Sequence, residues 1–340
     1  MAQSGTDATL LPCRLGRRWR IALPISYRTF RNPDPPALVR IWNEAFAGRG
    51  AAFLQGTTPL EHYVLAKPYF DPGGLIVAEL DGIVGGFVHA GFGADAAVHR
   101  LVHETGVIST LAVDPGYRGR GIGKNLLRLA ETYLRLKGAT AIYFGGVRPH
   151  CPFYWGMYGG SEPSGVLASD PSAEPFLRKC GYVPIEARLI LQRQLDQPLG
   201  VADPRFSGLR RRLEVKISPR PSSKKWYEES AIGPLEMLYF QLLQTAGGEM
   251  LGEARVWDMD LFGWRWHQPA AGIVDLSIAE GHRRQGLGKY LLVQILRYLQ
   301  DQFFTLAETQ VSAGDAAALA LCRGLGFNDV DEGRIYQLQP

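Results

Sequence analysis

The feature that most constrains this chain is a pattern that occurs twice. The first copy is an apolar, β-branched run from Val107 to Val113, then Asp114-Pro115-Gly116, then Arg118, Gly119, Arg120, Gly121, Ile122, Gly123 and Lys124. The second is Ile273 to Ile278, then Arg283, Arg284, Gln285, Gly286, Leu287, Gly288 and Lys289. Each short run reads as a strand stopped by a turn. Each glycine-rich stretch then opens an amphipathic helix. Leu126, Leu127, Ala130, Tyr133 and Leu134 share one face of the first, and Leu291, Leu292, Ile295, Leu296 and Leu299 share one face of the second. Arg118 and Arg283 stand 165 residues apart, a domain-scale repeat rather than a solenoid period of about 20–50 residues. With 340 residues, the chain suits two domains of about 100–200 residues each.

Glycines between a strand and a helix have a chemical meaning. The first N–H groups of a helix lack internal partners and carry the positive end of its dipole. Glycines let an anion approach them, so the turn is a cradle for phosphate. A Walker loop needs a glycine five residues before Gly123 or Gly288 and Ser or Thr after the lysine. Arg118 and Arg283, Asn125 and Tyr290 stand there instead. A dinucleotide fingerprint needs GxGxxG, and neither copy has that last interval.

Arg118-x-x-Gly121-x-Gly123 and Arg283-x-x-Gly286-x-Gly288 resemble motif A of the GNAT N-acetyltransferase superfamily, which holds the pyrophosphate of acetyl-CoA between the fourth strand and third helix. Phe176 to Tyr182 and Leu321 to Phe327 are similar to that family's closing helix phrase. The resemblance covers roughly 25–195 and 205–340. It implies an α/β fold, a mixed and mostly antiparallel sheet flanked by helices, in two tandem acyl-CoA N-acyltransferase domains. The expected division is an extension over 1–22, a first domain over 23–198 and a shorter second domain over 199–340. Ala37–Phe46 and Leu60–Tyr69 read as the two early helices of the first domain, without a clear counterpart between Ile217 and Trp226.

The resemblance also implies acetyl-CoA as co-substrate, bound at both turns. Leu111, Ala112 and Val113 would pair with its pantetheine arm in the first copy, and Leu276, Ser277 and Ile278 in the second. The expected acceptor is a primary amine of a small molecule or a protein. The family's usual acid is a tyrosine at the positions of Leu177 and Cys322, and neither is tyrosine. Glu104, just before the fourth strand where family members often place a base, is then a candidate base, and His103 could serve instead. The glycine- and aromatic-rich segment 145–165 reads either as a substrate wall, in which Tyr154, Trp155 and Tyr158 shape a pocket, or as a domain interface. Tyr154 and Tyr158 join Glu104 as catalytic candidates. A non-catalytic CoA-binding or scaffold protein is the alternative, and thiol release driven by an amine separates the two.

Composition excludes little else. Apolar residues make up 46% and charged residues 21%, ordinary for a globular chain. No apolar run reaches about 18 residues, so no spanning helix and no membrane partner are expected. The net charge of +4 does not by itself suggest nucleic acid. Cys13, Cys151, Cys180 and Cys322 are unpatterned and fit reduced thiols in a cytoplasm. No zinc spacing appears, so no metal is expected. Arg14, Arg17, Arg18 and Arg20 precede too short an apolar stretch for a signal core. The basic run from Arg205 to Lys225 reads either as a solvated linker and edge strand or as a docking patch for CoA phosphates or an acidic partner. Nothing in the sequence fixes an oligomeric state.

Overall fold

The computed structural model describes residues 25–200, 203–232 and 235–340. Cys13 and the N-terminal arginines lie outside them. The first half contains β1 (Ile25–Thr29), α1 (Pro35–Ala45), α2 (Thr58–Leu60, continued as a π-helix over Glu61–Leu65), β2 (Leu75–Leu80), β3 (Ile83–Ala94) and β4 (Leu101–Val113). It continues with α3 (Ile122–Leu136), β5 (Ala141–Phe144), β6 (Val166–Leu167), α4 (Ala173–Lys179) and β7 (Tyr182–Gln194). The second half contains α5 (Arg205–Arg212), β8 (Leu213–Pro219), α6 (Trp226–Ile232), β9 (Met237–Gln244), β10 (Met250–Asp258) and α7 (Asp260–Trp266). It ends with β11 (Ala270–Ile278), α8 (Leu287–Asp301), β12 (Leu306–Ser312), α9 (Ala316–Gly324) and β13 (Asn328–Leu338).

The strands form one mixed sheet in the order β1-β2-β3-β4-β5-β13-β7-β12-β11-β10-β9-β8, with β6 beside β13. Among the described residues only the β4–β5 and β11–β12 pairs are parallel, as expected where a crossover helix joins two strands. The repeat is visible in the topology: β4-α3-β5 and β11-α8-β12 are the same unit. The last strand of each half is exchanged. β7 pairs with β12, β13 pairs with β5, and β7 and β13 pair with each other at the centre. Each half therefore needs the other's strand to complete its sheet.

The two amphipathic helices bury the faces read from the sequence. Leu126, Leu127, Ala130 and Leu134 pack with β2 to β5. Leu291, Leu292, Ile295, Leu296 and Leu299 pack with β9 to β12. The hairpin at Asp81-Gly82 turns with both residues at positive φ, 51° and 78°, the conformation a tight two-residue loop requires. A third core, around Trp42, Leu60, Phe87 and Met157, seats the early helices on the opposite face of the sheet from α3. The first early helix matches the expected stretch to within two residues at each end, whereas the second is shorter than expected: it starts around Pro59, and Pro68, which cannot continue it, follows its end. Between β8 and β9 the second half has the seven-residue α6, which begins where the sequence pattern ended.

Candidate active site

α3 starts at Gly121, whose φ of 80° lies in the left-handed region that glycine enters at no steric cost. The N–H groups of Gly119 through Lys124 have no acceptor among the described residues. Arg118 turns its side chain away from them, and its Nε donates to Val113 O at 3.1 Å. The arginine of the motif thus braces the turn, and the backbone makes the cradle.

The strand before the turn opens a groove. β4 pairs with β5 only from Thr105 to Ile108. Against β3, Ile108 faces Ala90 and Thr110 faces His89, so Ser109 is an extra, bulged residue at the point where β4 and β5 part. Beyond it, Leu111, Ala112 and Val113 have no partner on the β5 side and line a cavity of about 410 Å³. Gly119, Gly121, Ile122, Gly123 and Lys124 form one end of that cavity. Trp42, Phe46, Tyr158 and Asp170 line it as well. An adjoining cavity of about 260 Å³ shares Phe46, Arg118, Tyr158 and Asp170 and adds Glu44.

The three catalytic candidates fall in different places. Tyr158 lines both cavities, and its hydroxyl accepts from Leu167 N at 3.3 Å. Its own proton has no acceptor among the described residues. Burial pushes its pKa well above the ordinary phenol value, so the group stays protonated as a donor. Tyr154 is buried behind the cavity. It stacks on Trp42 at 5.4 Å and its hydroxyl meets His89 Nδ1 at 3.1 Å. Its place is to support Trp42, which does line the cavity. Glu104 sits on the exposed first part of β4, where its carbonyl accepts from Thr140 N; it does not line either cavity. His103 stacks on Phe92 on the same exposed stretch.

Asp170 was not picked out from the sequence. It follows β6 in a stretch without a motif, and only the fold brings it to the junction of the cavities. Its Oδ1 accepts from Ser172 N and Ser172 Oγ at 2.9 and 2.7 Å, while Oδ2 has no partner among the described residues.

The second turn repeats the backbone geometry. Gly286 starts α8 with a φ of 83°, and Arg283 Nε donates to Ile278 O at 3.0 Å. Its surroundings differ. A Cβ at Gly286 would lie 3.0 Å from the Arg205 guanidinium carbon, whereas one at Gly121 meets nothing within 4 Å. Asp203 bonds both Arg205 and Lys289, and these charges hold its carboxyl below the usual range. Leu276, Ser277 and Ile278 stand on β11 before this turn.

A glycine turn at a helix start, fed by a parallel strand that splits from its neighbour, thus occurs twice in one mixed α/β fold. The Acetyltransferase (GNAT) family matches residues 29–157 and 208–327, and the chain belongs to that family. The mycothiol acetyltransferase of Tsukamurella paurometabola is 24% identical over 329 residues, covering 89% of this chain and 96% of that protein. That of Thermomonospora curvata is 32% identical over 121 residues, and the match spans 37% of its length. N-acetyltransferase family 8 member 3 of Mus musculus is 38% identical over 60 residues, 26% of its length. Among solved structures, the tandem GNAT protein from the clavulanic acid biosynthesis pathway superposes with a TM-score of 0.64 at 17% identity, covering 93% of this chain and 99% of that one. A GCN5-related N-acetyltransferase from Sphaerobacter thermophilus gives 0.62 at 15% identity, covering 94% and 98%. At such identities these structures share the fold.

Proposed function

We propose that this chain transfers the acetyl group of acetyl-CoA directly to a primary amine in the first-half cavity. One observation carries the reading: the cavity runs without a break from the turn whose Gly119–Lys124 N–H groups have no acceptor among the described residues, along the unpaired edge of β4, to Tyr158 and Asp170. The residues fit acetyl-CoA. The turn offers N–H donors at a helix start to a pyrophosphate. The open edge of β4 offers backbone groups to an amide-bearing arm, and Leu111 and Phe176 offer apolar walls.

Acetyl-CoA supplies an activated acyl carbon and a thiolate leaving group. The amine nitrogen bonds to that carbon, the carbon–sulfur bond breaks, and the proton lost by nitrogen ends on sulfur. An alkylammonium has an ordinary pKa of about 10.4 and must first give up a proton. Asp170, with Oδ2 free at the cavity junction, holds the ammonium beside the acyl carbon and passes its proton to water. Tyr158 donates a hydrogen bond to the charge that develops on the thioester. Trp42 and Phe46, 4.9 Å apart edge to face, form an aromatic wall that suits a cationic acceptor.

The acceptor screen is a thiol-release assay with acetyl-CoA and a panel of small amines and lysine peptides. Amine-dependent release is expected, with the acceptor KM raised about tenfold or more in Asp170→Asn. Tight CoA binding without release for any amine would favour a binding protein instead.

A further inference from the structure

Segment 145–165 leaves the first half after β5 and returns at β6, yet it is fastened by side chains of the second half. Glu308 accepts from Ser161 N at 2.6 Å. Gln310 Nε2 donates to Gly159 O and Glu162 O at 2.8 and 2.6 Å. Trp257 Nε1 donates to Ser161 O at 3.0 Å. Arg148 reaches Asp275 Oδ1 at 2.5 Å and Glu162 Oε2 at 3.8 Å, and Glu162 faces Arg188 at 3.7 Å. Glu308 and Gln310 are almost wholly buried, at 0% and 6% exposure, so these are fixed contacts rather than surface ones.

Their location is informative. β11 and β12 pair only as far as Ile273 with Thr309. Gln310 follows on one strand and Asp275 on the other, and β11 bulges against β10 there, with Asp275 at a φ of 56°. This is the counterpart of the split at Ser109, which in the first half is an open groove. In the second half the ion-pair chain Asp275–Arg148–Glu162–Arg188 links β11 to β7, the strand on the far side of β12, and Gln310 of β12 bonds the same segment. At the outer end, Arg205 and Asp203 cover Gly286 and Lys289.

We propose that the split of the second half has become the mould for segment 145–165, so that Asp275, Glu308 and Gln310 position Tyr158 in the first-half site, and the chain binds one acyl-CoA. This rests on the reading of the first-half cavity given above. Tyr158 lies between the fastened residues Gly159–Glu162 and Trp155, whose Nε1 also donates to Ser161 O at 3.2 Å. Arg148 lies over the Trp155 ring at 5.0 Å, tying the charge network to the aromatic run. The positioning is geometric: a displaced Tyr158 loses its aim at the charge that develops on the thioester, while the phosphate turn is left untouched.

Calorimetric titration with CoA should give one site per chain, and none in Gly121→Glu. Two sites in the parent chain, one surviving in Gly121→Glu, would overturn this inference and leave the first-half reading intact. A single site that survives in Gly121→Glu would overturn both. With an accepted amine in hand, Arg148→Met should lower kcat about tenfold while the acetyl-CoA KM stays within about twofold, and Arg148→Lys should recover most of the loss. An unchanged kcat, or an acetyl-CoA KM that rises as far as kcat falls, would overturn the positioning role. Asp275→Asn, which keeps the side-chain shape, provides the same comparison if Arg148→Met melts early.

Discussion

Gly123→Glu separates folding from cofactor binding. Gly123 is the second residue of α3, and a Cβ there would sit 3.6 Å from Phe176 and 3.7 Å from Leu111, ordinary contact distances. Its φ is not in the left-handed region, unlike that of Gly121. Replacing glycine within a helix gains up to about 1 kcal/mol. A carboxylate in the first turn adds about 0.3–1 kcal/mol through the helix dipole. The variant should therefore melt at or slightly above the parent temperature. Phe176 and Leu111 both line the cavity, so the new side chain enters the space the pyrophosphate needs. Two unit charges about 4 Å apart at an effective dielectric of about 20 repel by about 4 kcal/mol, or about a thousandfold in affinity. Gly123→Ala, which adds only the Cβ, should lose less than about tenfold. Calorimetry with CoA and thermal denaturation on the three proteins measure both effects. A Gly123→Glu protein that folds normally and binds CoA as the parent does would refute the cradle.

Two further predictions follow from the site and its support. Tyr158→Phe should lower kcat about a hundredfold in thiol release while CoA affinity measured by calorimetry is kept, since the hydroxyl acts on charge that exists only during transfer. Burial pushes His89 down to about 3. Below pH about 6.5 the unfolded chain therefore takes up a proton that the folded chain refuses, and stability falls by up to about 1.4 kcal/mol per pH unit until about pH 3. Denaturant melts between pH 6 and 4 should show a shallower loss for His89→Gln than for the parent; parallel slopes would contradict the burial of a neutral ring.

Both turns, their strands and their helices were legible because the pattern is local: a glycine at positive φ and apolar residues at helical spacing are written within about twenty residues. The aromatic segment was legible as a site or an interface, and its residues divide between the two roles. Tyr158 faces the cavities, while Trp155 packs with Met237, Trp257 and Phe262 of the second half. What was not legible depends on partners far apart in sequence. The exchange of β7 and β13 is a choice between nearly equivalent edges, and no turn signal marks it. α6 and α7 are each seven residues long, too short for a periodic stripe. They are held by tertiary contacts such as Tyr227 stacked 5.5 Å from Tyr69, Lys67 Nζ on the carbonyls of Ser230 and Ala231, and Trp266 Nε1 on Arg49 O at 2.9 Å. Asp170 escaped notice because a lone aspartate after a two-residue strand carries no pattern at all.

The most direct measurement is a crystal structure of the chain grown with acetyl-CoA. The account predicts the pyrophosphate on the N–H groups of Gly119 to Lys124, the arm along Leu111 to Val113, and the thioester beside Tyr158, with the charge network still spanning β11 and β12. Acetyl-CoA bound at the Arg283–Lys289 turn, with Arg148 withdrawn from Asp275, would contradict it.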